Sequence, residues 1–223
     1  MRLVFMADTH LFHEDLRVPE GDVVIHAGDF CRAGSFAELE VFAALWTALP
    51  HAHKVVVPGN HDWAFARDPA RARALLPGSH VLIDEGCVID GATFYGSPWQ
   101  PEFGGWAFNL PRGEPLREKW ALIPAGLDVL VTHSPPHGFG DRLSHKPRAL
   151  PDGRSGCVDL RARVAVVRPR LHVFGHIHED GGAWEHEGTW ISNVTTWECE
   201  RACSIFDLDD GVVTPVLVPP ART

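Results

Sequence analysis

Apolar residues along this chain gather in short β-branched runs that do not alternate with polar ones, and each run stops abruptly at a cluster of His, Asp or Asn. Leu3–Ala7, Val23–Ala27 and Lys54–Pro58 have this form, which is the pattern of strands buried on both faces with functional loops at their carboxyl ends. Between the second and third runs, Leu39, Phe42, Trp46 and Leu49 recur on one helical face. Ser35 and Glu38 stand where a capping box would open that helix. Asp68-Pro69 reads as the N-cap and first position of a short basic helix to about Leu76.

The texture then changes. Val81–Ile83, Cys87–Ile89 and Thr93–Tyr95 are separated by tight turns and predict an antiparallel hairpin or meander. Residues 97–113, rich in Pro, Gly and Trp, predict an ordered loop, followed by a helix over 114–123 and a strand over Val129–Thr132. A second long loop, 137–156, precedes a helix over 158–167 and a buried strand over Leu171–Phe174. The tail reads as two hairpins, Ala183–Glu187 with Thr189–Asn193 and Ser204–Leu208 with Val212–Leu217, the second turned by Asp209-Asp210-Gly211. Parallel α/β segments with an antiparallel extension predict one α/β domain over residues 1–223, built from two packed sheets flanked by helices.

Composition narrows the function. The formal net charge is −9 with the histidines neutral, so a long nucleic acid would be repelled by most of this surface and none is expected as a partner. No run approaches the roughly 18 apolar residues of a spanning helix, and the apolar start is too short for a signal peptide. A cytoplasmic protein with no membrane partner is the expectation; the oligomeric state is open. Five cysteines without paired zinc spacing read as reduced structural thiols, and Asn193-Val194-Thr195 reads as a chance sequon.

The chemistry lies in five blocks: Asp8-Thr9-His10, Gly28-Asp29, Gly59-Asn60-His61-Asp62, Thr132-His133 and Gly175-His176-Ile177-His178. Asp8, His10, Asp29, Asn60, His133, His176 and His178 form a mixed nitrogen and oxygen donor set suited to two divalent or trivalent transition ions. Such a pair can clamp the attacking and leaving oxygens at phosphorus. Asp29, after a glycine that permits a sharp turn, is placed to bridge the two ions. Spacing alone does not divide the other ligands between them.

In this order the blocks resemble the calcineurin-like metallophosphoesterase superfamily, whose pattern is Asp-x-His, Gly-Asp, Gly-Asn-His-(Asp/Glu), a lone His, and Gly-His-x-His. The resemblance implies the metallophosphoesterase fold, a four-layer α-β-β-α sandwich of two mixed sheets. It implies that Asp8, His10 and His178 join Asp29 at one metal, and that Asn60, His133 and His176 join it at the other. It also implies that His61 faces the substrate as a catalytic acid oriented by Asp62. The segments around Ile25–Phe30, Tyr95–Trp99, Gly105–Gly113 and Arg168–Gly175 are similar to the MPPED subgroup, which is related to class III cyclic-nucleotide phosphodiesterases. Some animal members of that subgroup carry Gly where this chain has His176 and Glu where it has Asp62. The full ligand set here therefore implies an activity that is not crippled.

The resulting expectation is a binuclear phosphodiesterase for small nucleotide or aryl phosphodiesters, acting by in-line attack of a metal-bridging hydroxide. Manganese leads as the cofactor, with iron, zinc, cobalt or nickel as alternatives. A phosphomonoesterase or nuclease of the same fold, or a metal-stabilised interaction module without turnover, are the competing readings. Trp99, Phe103, Trp106 and Phe108 form an aromatic cluster where a nucleobase could stack, and Asn109 and Arg112 could meet its phosphate. His13, His137, Arg142 and His145 are weaker candidates for substrate contact, and Cys31 reads as packing.

Overall fold

The computed structural model describes residues 1–145 and 147–220. The first half of the chain forms β1 (Arg2–Met6), β2 (Val23–His26), α1 (Phe36–Ala48), β3 (His53–Val56), α2 (Trp63–Arg67), α3 (Pro69–Ala74), β4 (Ser79–Val81), β5 (Glu85–Ile89) and β6 (Ala92–Ser97). The second half forms β7 (Gln100–Pro101), β8 (Asn109–Leu110), α4 (Glu114–Ala121), β9 (Val129–Thr132), α5 (Val158–Val167), β10 (Leu171–Phe174), β11 (Gly182–His186), β12 (Thr189–Asn193), β13 (Ser204–Asp209) and β14 (Val212–Leu217). Among the described residues one 3₁₀ turn forms, over His178–Asp180.

These strands make two six-stranded mixed sheets, ordered β14-β13-β1-β2-β3-β4 and β11-β12-β10-β9-β6-β5, with a small β7-β8 pair beside them. β1 to β4 are mutually parallel, as are β6, β9, β10 and β12. Alternate residues divide the faces, as the two-residue period of a strand requires. Leu3, Phe5, Val23, Ile25 and Val55 from one sheet meet Phe94, Val129, Val131, Leu171 and Val173 from the other in the shared core. Val4, Met6, Val24 and Val56 face the other way, onto Leu39, Phe42 and Trp46 of α1. On the far side, Tyr95 and Leu130 pack under Leu116 and Trp120 of α4 and Leu160 and Val164 of α5. The four layers are those expected.

Three local expectations change. The segment 79–97 is not one meander: β4 extends the first sheet parallel to β3, while β5 and β6 form a hairpin in the second. Hydrophobic pattern marks strands but does not say which sheet recruits them. The long loop after β6 contains a parallel β7-β8 pairing, and α2 follows the Asn60-His61 block unforeseen. At α1, Ser35 accepts the Glu38 N–H at 3.2 Å, but the Glu38 carboxylate does not complete the box. It instead accepts the N–H groups of Arg32, Ala33 and Gly34 at 3.2, 2.9 and 2.8 Å.

Among the described residues, no helix is long and apolar enough to cross a membrane. Because β1, β2, β3, β9 and β10 run parallel within their sheets, their carboxyl-terminal blocks are delivered to a common edge.

Phe5 is fully buried and meets Phe206 edge-on at 5.9 Å. Phe5→Ala should lower unfolding free energy by about 3–5 kcal/mol, read from the urea midpoint. Val212→Ala, at a side chain 63% exposed, should change it by less than about 0.5 kcal/mol.

Candidate metal centre

The backbone at the strand ends is bent where the donors sit. Asp8, His10, Asp29 and His176 have φ of 57°, 42°, 60° and 73°, the left-handed region that non-glycine residues seldom occupy and that clusters at functional sites. Hydrogen bonds enforce these bends: Asp8 N–H donates to the Gly28 carbonyl at 2.9 Å and His10 N–H to the Asp29 carbonyl at 3.0 Å. Both Asp8 carboxylate oxygens accept the His176 N–H at 3.0 Å, tying the loop after β10 to the loop after β1. Gly175 permits that approach, since a Cβ there would lie 2.5 Å from Ala7 Cβ and 2.6 Å from Asp8 Oδ2.

Two donor groups result. Asp8, His10 and His178 each offer an atom within 4.8 Å of the others, and so do Asp29, His133 and His176. His10 and His178 turn ring nitrogens toward each other at 3.3 Å, and His133 Nε2 lies 3.0 Å from Asn60 Oδ1 and 3.2 Å from Asp29 Oδ2. Asp29 also groups with His10 and His61 within 4.8 Å, so its carboxylate stands between the two sets. All seven predicted donors come together.

The surroundings suit a cation. His10 Nδ1 faces the Cys31 carbonyl at 3.1 Å and His133 Nδ1 the Ala27 carbonyl at 2.9 Å. As N–H donors there, both rings leave Nε2 free as a ligand, the outer-shell arrangement usual for metal-binding histidines. Burial holds the His10 imidazole below its ordinary pKa, and burial with repulsion from His133 brings His176 down to about 3. Both are therefore neutral at physiological pH, as a ligand must be. Burial works against charge on Asp29, but the His133, His10 and His61 rings hold its carboxyl far below the usual range. Burial likewise opposes charge on His133, and the Asp29 carboxylate reverses this, raising it to about 9. A buried carboxylate drawing positive charge this strongly is what a metal would satisfy.

A model of calcineurin-like phosphoesterases matches residues 1–180. The chain belongs to the calcineurin-like phosphoesterase family. Over 92% of its length it is 40% identical to human metallophosphoesterase domain-containing protein 1, of which it covers 67%. It is 35% identical to a UPF0046 protein of Caenorhabditis elegans, covering 92% of this chain and 72% of that one. In fold it resembles TT1561 of Thermus thermophilus, with a TM-score of 0.62 and 15% identity over 96% of this chain and 97% of that one. It also resembles phosphopantetheinyl hydrolase of Mycobacterium tuberculosis, at 0.58 and 18% over 96% and 95%. At such identities the likeness concerns architecture alone. Calcineurin-like phosphoesterases are metal-dependent, and the Asp/His cluster described above is a candidate site for the metal in this member.

The structure corrects one role within the calcineurin-like motif. Asp62 does not touch the His61 ring: its Oδ2 accepts the N–H groups of Gly59 at 2.7 Å and Asp29 at 2.9 Å, and its Oδ1 that of Cys31 at 3.0 Å. A fully buried carboxylate next to strained loops is consumed by unpaired backbone donors before it can reach a neighbouring ring. His61 Nδ1 is held instead by the Arg32 carbonyl.

A cavity of about 760 Å³ opens over the centre. Asp29, Asn60, His61, His176 and His178 form its floor; Phe103, Leu143, Pro147, Leu150 and Trp197 form much of its apolar wall, with Glu102, Arg112, His145 and Glu179 among them. Of the predicted substrate contacts, Arg112 reaches this cavity, although its terminal nitrogens donate to the Gly156 and Ser155 carbonyls at 2.8 and 2.7 Å. Phe103 lines it as well. The others do not. Trp99 donates its indole N–H to Asp84 at 2.8 Å and packs on Phe108, and both ends of the Asn109 amide are used inside the loop. Trp106 lies against His61, ring centroids 4.1 Å apart. The common reason is that a Pro/Gly-rich loop must satisfy its own backbone and rings. His13 packs on Phe42 and His137 pairs with Asp152, whereas His145 lines the cavity.

Trp197 is a cavity-lining aromatic that sequence reasoning missed. Thr196 N–H and Glu198 N–H donate to the Ala7 and Asp8 carbonyls, both at 2.9 Å, and set its ring 5.1 Å from that of His178. Its signal was available: it follows the apolar run Thr189–Asn193 as the donor blocks follow theirs.

Asp62→Asn would set an NH₂ donor against backbone N–H groups. It should cost about 1–3 kcal/mol of stability and weaken metal retention, with equal losses of turnover on activated and unactivated esters. Thermal melts, metal analysis and rates on p-nitrophenyl and phenyl phosphodiesters check this.

Proposed function

We propose that this calcineurin-like phosphoesterase is a binuclear enzyme that hydrolyses small phosphodiesters carrying an aryl or nucleoside arm. The observation that carries the reading is the position of Asp29 between two donor groups. Asp8, His10 and His178 with Asp29 would hold one ion, and Asn60, His133 and His176 with Asp29 the other, manganese being the first choice. The pair would supply activated water and charge compensation at the phosphoryl oxygens.

The protein's own groups do the rest. The donor loops, bent by hydrogen bonds before any ligand arrives, present a preorganised site and incur little reorganisation cost during reaction. His61, with Nδ1–H spent on the Arg32 carbonyl, would in its imidazolium form give the Nε2 proton to the leaving oxygen and be left as the neutral Nδ1–H ring. Phe103 and Trp197 supply the aromatic faces for a base or aryl group. Glu102 and Glu179 in the wall, together with the net charge of −9, disfavour a polynucleotide, and the apolar side of the cavity favours a diester over a monoester.

Metal-stripped protein should be inert toward bis-p-nitrophenyl phosphate and regain turnover with two equivalents of Mn²⁺; no turnover with any transition ion would refute the enzyme reading. Asp29→Asn should cut turnover by at least about 10²-fold, while Glu40→Gln, on the exposed side of α1, should not. His176→Gly should weaken one of two sites in a metal titration and slow catalysis. Two unchanged sites would remove His176 from the ligand set.

His61 lies within 4.8 Å of other donors, so its assignment is tested by stoichiometry. His61→Asn should retain both ions and lose about 10²-fold on phenyl esters, with a smaller loss on p-nitrophenyl esters, whose leaving group needs no proton.

A further inference from the structure

The His61 ring is held on several sides by groups that themselves have little room to move. Trp106 covers it at 4.1 Å with the planes 31° apart, and His10 meets it edge-on at 4.7 Å. Trp106 is placed from its own backbone: Ala107 N–H donates to the Asn60 carbonyl at 3.2 Å, next to His61 in sequence, and Trp106 N–H to the Phe103 carbonyl at 3.4 Å. Gly104 and Gly105, at φ of 56° and 68°, make the turn that returns the indole to this spot.

The Arg32 carbonyl, which accepts from His61 Nδ1, belongs to the turn 32–34. One carboxylate oxygen of Glu38 gathers all three N–H groups of that turn, at 3.2, 2.9 and 2.8 Å. Arg32 Nε is also anchored on the His10 carbonyl at 3.1 Å, with the guanidinium 4.3 Å over the Phe12 ring. The turn lies tight against the His61 block, because a Cβ on Gly34, at φ 67°, would come within 2.8 Å of Trp63 Cβ. A carboxylate in the first turn of α1 thus reaches the imidazole through one peptide unit. Its negative charge is also favoured there by the helix dipole.

We propose that Glu38 and Trp106 are positioning residues for His61: Glu38 fixes the carbonyl that holds Nδ1–H, and Trp106 fixes the plane of the ring, so that Nε2 is presented to the leaving oxygen. The proposal rests on the reading of His61 as the acid. It gives Trp106 a role in the chemical step and none in base binding.

The first readout does not involve turnover. Nitrogen-15 NMR of the wild-type protein should show one hydrogen-bonded Nδ1–H signal for His61, and Glu38→Ala and Trp106→Ala should each replace it with an averaged one. An unchanged signal in both variants would overturn the proposal.

The second readout is kinetic, on Mn²⁺-loaded enzyme with matched phenyl and p-nitrophenyl phosphodiesters. Trp106→Ala and Glu38→Ala should each lower kcat about tenfold more on the phenyl ester than on the p-nitrophenyl ester, since a misplaced acid is missed only where a proton is needed. Trp106→Phe should restore most of the loss. In a His61→Asn background neither change should cost anything further, the double-mutant signature of groups acting through one residue. Equal losses on both esters, or losses that persist without His61, would sink the positioning role while leaving the phosphodiesterase reading intact. A wild-type protein inert on both esters would sink that reading, and the NMR signal would still decide the positioning.

Discussion

A carboxylate buried where two sheets meet sets the terms for everything around it. Asp29 is 2% exposed, accepts the His61 N–H at 2.8 Å and lies 3.2 Å from His133. A lone charge in such a place is too costly to keep, so it must be paired or coordinated. Here the partners are imidazoles drawn from separate loops, and the second nitrogens of His10, His61 and His133 are already spent on carbonyls. The centre is left short of positive charge. That shortage is what a bound cation would make good.

Delivering those partners is the task of the topology. Strands that run parallel within each sheet send their carboxyl ends to one edge, and Asp8, Asp29 and Asn60 arrive from one sheet while His133 and the His176–His178 pair arrive from the other. The shared apolar layer, with Phe5, Ile25, Val131 and Val173 at its middle, holds the two edges in register. The strained φ values at four donors are tolerated because packing and hydrogen bonds over-determine them. Asp62 contributes most plainly to this, binding three backbone N–H groups from two loops.

Above the centre, the two long loops divide their labour. Leu143, Pro147 and Leu150 form an apolar wall over the centre. The 99–110 segment turns most of its rings inward, on Asp84, Phe108 and His61, and offers only Phe103 to the cavity. Aromatic richness in that loop is therefore chiefly a matter of holding the loop and the imidazole beneath it.

By itself the sequence marked the long strands, the layered α/β architecture and the seven candidate donor positions, because each candidate follows a β-branched run and the blocks keep a fixed order. Periodicity and strand-end chemistry are local properties, readable residue by residue. What only the tertiary structure decided was partnership. Whether 79–97 is one meander or two sheets, whether Glu38 caps its own helix or a neighbouring turn, and whether Asp62 serves a ring or a backbone depend on which unpaired donor is nearest once the chain is closed. The same holds for the aromatics: Trp99, Trp106 and Trp197 look alike in sequence, and only their distances to Asp84, His61 and His178 assign them to a loop core, a positioned imidazole and a cavity wall.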